Sequence, residues 1–226
     1  MGMRVLLVGY GRMGRLVESL SAEYDMEIAG HVDRRSAHSP ESWPDAEVAI
    51  DFSTADAVAG NVRHLAARGT LLVIGTTGWG AQEPELRRET AARGIGVVAA
   101  PNFALGVNLF VALAARAAEL MAPHDGFGAW IHEAHHAAKR DAPSGTALLL
   151  ASSMRDAGYE RAIDVSSTRA GATPGTHTIG FDAAGETITL IHTARDRSAF
   201  AHGALEAARW VRGRQGWFTM RDVLGI

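Results

Sequence analysis

Through the first hundred positions, short runs of β-branched and apolar residues alternate with stretches of helical periodicity. "RVLLVG" (4–9), "EIAGHVD" (27–33), "VAIDFS" (48–53), "TLLVIGTTG" (70–78) and "GIGVVAAPN" (94–102) read as five strands. Between them, positions 12–24, 55–68 and 84–93 carry the spacing of helices. Strands this uniformly apolar are buried on both faces, and parallel neighbours need crossover connections. The pattern predicts a parallel sheet with helices on either side.

From position 106 the pattern changes. A long, alanine-rich apolar helix runs to 121 and is ended by Pro123. "FGAWIHEAH" (127–135) and "ETITLIHTA" (186–194) read as strands of a mixed or antiparallel sheet, and 146–158 as a helix. "STRAGATPGTHTIGF" (167–181) supplies strands and turns, and 199–213 forms a final amphipathic helix. The expected fold class is α/β: a Rossmann-like doubly wound parallel sheet plus a smaller α+β domain with a mixed sheet. The first domain is expected to span 1–103, completed by 204–226. The second is expected to span 104–203.

Composition narrows the picture. The 226 residues, 47% of them hydrophobic, can bury a large core. A net charge of −3, with no basic block, argues against nucleic acid as a partner. There are no cysteines, so disulfide and thiolate chemistry are excluded. No apolar run reaches the roughly 18 residues that cross a bilayer, and the first residues enter a strand directly rather than form a signal peptide. A soluble cytoplasmic protein without a membrane partner is expected.

"VLLVGYGRMGR" places Gly9, Gly11 and Gly14 in G-x-G-x-x-G spacing between a strand and a helix. That spacing serves a tight turn, a close approach of backbone to pyrophosphate, and helix–strand packing. Asp33 ends the second strand nineteen residues after Gly14, near the spacing of about 20 for a ribose-binding carboxylate. Arg34 and Arg35 follow, either to meet a 2′-phosphate or merely to be solvated. NADH, NADPH or both are therefore the candidate cofactors, with a flavodoxin-like sheet lacking a dinucleotide as the alternative. "GTTG" (75–78) and "APNFALG" (100–106) follow strands four and five, where ligands bind in open α/β sheets. Their small hydroxyls and amides suit a nicotinamide ribose and carboxamide, although Thr76 and Thr77 can equally be turn residues.

"IHEAHHAAKRDAPSGTA" (131–147) contains H-E-x-x-H, a zinc pattern that works only on a helix. Gly126, Gly128 and Pro143 argue for a strand entering a loop instead. On a strand, His132 and His136 lie about 13 Å apart, too far for two bonds of about 2.1 Å to one ion. No metal is expected there. The same residues compose a cationic, proton-donating pocket: His135, His136, Lys139, and a helix opened by Ser144, Gly145 and Thr146, whose amides attract an anion. Such a pocket suits a small dicarboxylate; a hydrophilic surface loop is the bland alternative.

"EAHHAAKRDAPSGTA" (133–147) resembles the signature of the dihydrodipicolinate reductase family, also called 4-hydroxy-tetrahydrodipicolinate reductases, of diaminopimelate and lysine biosynthesis. "VGYGRMG", "AIDFS", "GTTG", "APNF", "GTHTIGF", "ETITLIHTARDRSAFAHGALEAARW" and "MRDVL" extend the resemblance along nearly the whole chain. The resemblance implies that His135 is the proton donor and Lys139 the second catalytic residue. It places His136, Gly145 and Thr146 on substrate carboxylates. Cofactor positions fall on Gly9, Tyr10, Gly11, Arg12 and Met13; on Asp33 and Arg34; on Gly75, Thr76 and Thr77; and on Ala100, Pro101, Asn102 and Phe103. It also implies NAD(P)H-dependent reduction of a cyclic imine dicarboxylate to tetrahydrodipicolinate, in a homo-oligomer, a tetramer built through the second domain's sheet. Three departures stand out: a cofactor turn one residue shorter than in many members, Ala104 where serine is common, and a short 156–169 region that bears on the substrate lid and tetramer contacts. Another reductase of similar architecture, such as a diaminopimelate dehydrogenase, and a non-catalytic dinucleotide sensor are the rival readings.

Overall fold

The parallel strands sort their own side chains into two cores. In the computed structural model, which describes residues 2–33 and 35–226, β1 (Met3–Val8) is followed by α1 (Arg12–Leu20), β2 (Met26–Val32) and β3 (Val48–Asp51). Then come α2 (Ala55–Ala67), β4 (Leu71–Ile74), α3 (Glu83–Ala91) and β5 (Gly96–Ala99). Val5 and Leu7 of β1 enter one apolar cluster, Leu6 and Val8 the other, because successive strand residues face opposite ways. This alternation is why the run carries almost no polar residue.

Beyond α4 (Leu105–Met121) the chain forms β6 (Gly128–His135), α5 (Gly145–Asp156), β7 (Ile163–Arg169), β8 (Thr176–Ala183) and β9 (Glu186–Thr193). It closes with α6 (Ser198–Val211), β10 (Gly216–Phe218) and α7 (Met220–Leu224). Two units result: Met1–Leu105 with Arg197–Ile226, and Gly106–Asp196. The return to the first unit falls at 197 rather than 204, because α6 packs as a whole. Its Ala201, Ala204, Leu205, Ala208 and Val211 are buried in the first unit's core.

The first unit's sheet has the order β10-β5-β4-β3-β1-β2, with every pair parallel. It is the expected doubly wound arrangement, with a sixth strand added. "GWF" of β10 is too short to show a period of two, and it earns its place only by pairing with β5. In the second unit the order is β7-β6-β8-β9, with β6–β7 parallel and the other pairs antiparallel. Phe110, Ala114 and Ala118 of α4 and Leu150, Ala151 and Met154 of α5 cover one face of this mixed sheet. On β6, Ala129, Ile131 and Glu133 are the buried alternate positions. Trp130 lies on the other face, where a Cβ on Gly180 would stand 2.1 Å from its ring. No described helix is long and apolar enough to cross a membrane.

Candidate active site

At the carboxyl end of the parallel sheet, the three glycines sit in different surroundings. Gly9 has φ +92°, and a Cβ there would meet the Phe52 carbonyl oxygen at 2.4 Å. A Cβ on Gly14 would stand 2.5 Å from the Gly9 oxygen, so the helix lies directly on the turn. Gly11 has nothing within 4 Å of its Cβ position and opens to a cleft. No side chain caps α1, which leaves its first amides for an anion. The cleft measures about 470 Å³ and is lined by Gly9, Tyr10, Gly11, Asp33 and Arg35 on one side and Phe52, Ser53 and Asn61 on the other. An adjoining hollow of about 340 Å³ is bounded by Gly11, Arg12, Met13, Gly75, Thr76 and Thr77. Bare backbone, open helix amides and an acid at the end of β2 fit a dinucleotide.

Asp33 also closes its own turn: the Arg35 and Ser36 amides donate to Oδ1 at 2.8 and 3.0 Å, and these bonds hold its carboxyl below the usual range. Arg34 lies outside the described residues. Ala100 follows β5 directly, its amide bonded to the Ile74 carbonyl. Pro101 is exposed, and Asn102 accepts the Ala104 amide at 2.9 Å. Phe103 is a core side chain, 1% exposed, so any ligand contact there falls to its main chain.

Beneath the cleft lies a residue the sequence reading passed over. Asp51, 1% exposed, accepts from the Ser53 amide (2.8 Å), Ser53 Oγ (2.6 Å) and Thr76 Oγ1 (2.9 Å) through Oδ1, and from Asn61 Nδ2 (2.8 Å) through Oδ2. One buried carboxylate thereby ties the loops after β3 and β4 to α2. The signal was present as an acid ending an apolar strand in "AIDFS".

In the second unit, His132 to His135 is strand, not helix, so the geometry presumed by the H-E-x-x-H pattern is not met. His132 pairs with Ser166 Oγ at 3.0 Å. Glu133 and His135, two residues apart, share the strand's other face, where His135 Nδ1 bonds Glu133 Oε2. Glu133 is fully buried and accepts from both terminal nitrogens of Arg169 (2.9 and 2.6 Å) and from the Ser144 amide (3.1 Å). Burial pushes its carboxyl up, but the bonds from Arg169, Ser167, His135 and Ser144 outweigh that and hold it at about 2. His177 meets Ser144 Oγ at 3.0 Å and sits edge-on to His135, ring centroids 5.1 Å apart. Burial, followed by the neighbouring His135, brings His177 down to about 4, so it is neutral at pH 7.

The other residues of the expected pocket lie on the loop and helix start that follow β6. Lys139 bonds both Asp141 oxygens at 2.8 Å, a partner the sequence reading did not assign. His136 is exposed, and its carbonyl accepts the Lys139 amide. Ser144 caps α5 by accepting the Ala147 amide at 3.2 Å. The amides of Gly145 and Thr146, the first two of the helix, have no partner among the described residues. Glu133, His135 and His177 present possible ligand atoms within 4.8 Å of one another. Each is engaged in hydrogen bonds, and the Arg169 guanidinium on Glu133 opposes a cation. Arg169 and His177 are far from the signature in sequence and reach it through strand register, which pairs His135 with Arg169 and Glu133 with His177.

Comparison with known proteins places the chain. The family pattern described as "Dihydrodipicolinate reductase, N-terminus" matches residues 3–103, and "Dihydrodipicolinate reductase, C-terminus" matches residues 106–224. The 4-hydroxy-tetrahydrodipicolinate reductase of Christiangramia forsetii is 34% identical over 98% of both chains. That of Myxococcus xanthus is 41% identical over 80% of this chain and 73% of its own. A solved structure, the dipicolinate-bound dihydrodipicolinate reductase of Paenisporosarcina sp. TG-14, superposes with a TM-score of 0.81 at 23% identity, covering 97% of this chain and 98% of that one, and shares the fold. With both halves matched and full-length relatives above 30% identity, this chain belongs to the dihydrodipicolinate reductase family.

Proposed function

We propose that this chain is a 4-hydroxy-tetrahydrodipicolinate reductase, reducing the cyclic imine dicarboxylate derived from that compound to tetrahydrodipicolinate with NADH or NADPH. It serves diaminopimelate and lysine biosynthesis in the cytoplasm. One observation carries the reading: between His135 and Thr146, one strand end and one helix start put a proton donor, an ammonium group and two open amides into a single stretch.

When bound, the reduced dinucleotide supplies a hydride to the substrate's conjugated ring. The open turn at Gly11 and the first amides of α1 hold its pyrophosphate, and Asp33 accepts ribose hydroxyls through Oδ2, the oxygen its own turn leaves aside. Arg35, on the cleft wall, is placed to meet a 2′-phosphate, so both dinucleotides are accepted. The Gly145 and Thr146 amides grip one substrate carboxylate at the positive end of α5. Lys139 exchanges its bond with Asp141 for substrate, stabilising negative charge as it spreads through the enamine system. His135 delivers the proton that completes the reduction. The open face of the mixed sheet, carrying Trp130, His132 and Ile191, is the surface through which copies assemble into a tetramer.

A coupled assay with freshly generated imine, following NADH and NADPH loss in parallel, tests this. Oxidation is expected with both dinucleotides, their specificity constants within about a thousandfold of each other. Binding without oxidation points to a sensor, and oxidation only with diaminopimelate-type substrates points to the rival reductase.

A further inference from the structure

His135 does not stand alone in its strand. Its Nδ1 is bonded to a carboxylate that is 0% exposed, and that carboxylate is clamped from the far side by Arg169. A carboxylate only accepts, so the proton of the His135–Glu133 bond belongs to Nδ1. The remaining nitrogen, Nε2, faces Gly175, where a Cβ would come to 3.2 Å. Gly175 has φ +127°, a conformation side-chain-bearing residues rarely adopt, and its lack of a side chain leaves the space beside Nε2 open. The Ala170 amide donates to the His135 carbonyl at 3.0 Å and fixes the backbone beneath the ring.

We propose that Glu133, held by Arg169 and the Ser144 amide, is a positioning residue: it locks His135 as the Nδ1–H form and makes Nε2 the nitrogen that delivers the proton. This rests on His135 being the donor in the proposed reaction. Three features of the network serve that end. Arg169 neutralises Glu133 and fixes both its oxygens in a two-pronged geometry, so the carboxylate cannot swing away from the ring. The Ser144 bond joins the same carboxylate to the first turn of α5, coupling the donor's orientation to the helix end that grips the substrate. His177, in edge contact with His135, bonds Ser144 Oγ and leaves Glu133 to His135. The acid is the imidazolium: its Nε2–H bond breaks as the proton passes to the substrate, and the ring is left as the neutral Nδ1–H form that the Glu133 carboxylate holds.

Nitrogen NMR on protein carrying 15N-histidine, with His135 assigned by its loss in His135→Asn, reads the tautomer directly in the substrate-free enzyme. At alkaline pH, Nδ1 protonated and Nε2 bare is the expected result; the reverse overturns the proposal. In Glu133→Gln, kcat is expected to fall at least about tenfold, with dinucleotide affinity unchanged and partial recovery in Glu133→Asp. Wild-type kcat in a folded Glu133→Gln protein also overturns it. Should that variant not fold, leaving Arg169 unpaired, Glu133→Gln with Arg169→Gln removes both charges and carries the same expectation. If the wild-type protein reduces no imine, the assigned function fails, while the tautomer measurement still decides what Glu133 does.

Discussion

Lys139 is the chain's only lysine, and its bond to Asp141 adds little stability. Asp141 is more than half exposed, and ion pairs so open to water contribute little. In the proposed reaction, a substrate carboxylate arriving beside the Gly145 and Thr146 amides would displace Asp141 at small cost. Lys139→Ala is therefore expected to raise KM about tenfold or more, the scale of a hydrogen bond to a charged group, and to lower kcat as well. Steady-state kinetics at saturating dinucleotide read both; normal values would mean a lysine that only faces solvent. His135 and Lys139 differ in what supports them. The histidine is held by a buried carboxylate and the lysine by an exposed surface acid, which suits the proposed roles of a donor that stays aimed and a cation that changes partners.

At the scale of elements, the two candidate sites are built by different devices. The dinucleotide cleft uses strand ends, each loop lying where a buried strand stops, with Asp51 bracing the loops after β3 and β4. Asp51→Asn keeps the volume but loses the charge-assisted bonds, and loosening these loops by an ångström is expected to weaken dinucleotide binding roughly tenfold or more. Fluorescence titration with NADH checks this, and unchanged affinity would confine Asp51 to a packing role. The five longer parallel strands and the glycine turn were legible in sequence because their information is local: apolar runs, G-x-G-x-x-G, an acid at the next strand's end. The strand end and helix start that carry His135, Lys139, Gly145 and Thr146 were legible for the same reason, lying in one short stretch. Arg169, His177 and the role of Glu133 were not. They meet only through the pairing of β6 with β7 and β8, and a linear pattern does not record register. β10 escaped because three residues carry no period.

The whole molecule holds three cores in two units, with the proposed cofactor and substrate functions on separate stretches of chain. Acid is expected to act first on the second unit. His177 sits at about 4 against an ordinary 6.5, so the unfolded chain takes its proton first; the stability it confers is complete above pH 6.5 and is lost as pH falls toward 4. Glu133, at about 2 against 4.5, adds a second loss between pH 4.5 and 2. Urea midpoints measured from pH 7 to 4 should decline, and the decline should flatten in His177→Gln, which cannot titrate. An identical slope in that variant would assign the acid sensitivity elsewhere.

The account turns on His135 as the group that completes the reduction. Turnover of His135→Gln, measured against the wild-type protein with fresh imine and saturating dinucleotide, tests it most directly. A fall in kcat of about a hundredfold or more is expected, with dinucleotide affinity unchanged in the same samples. Turnover at the wild-type rate would contradict the account.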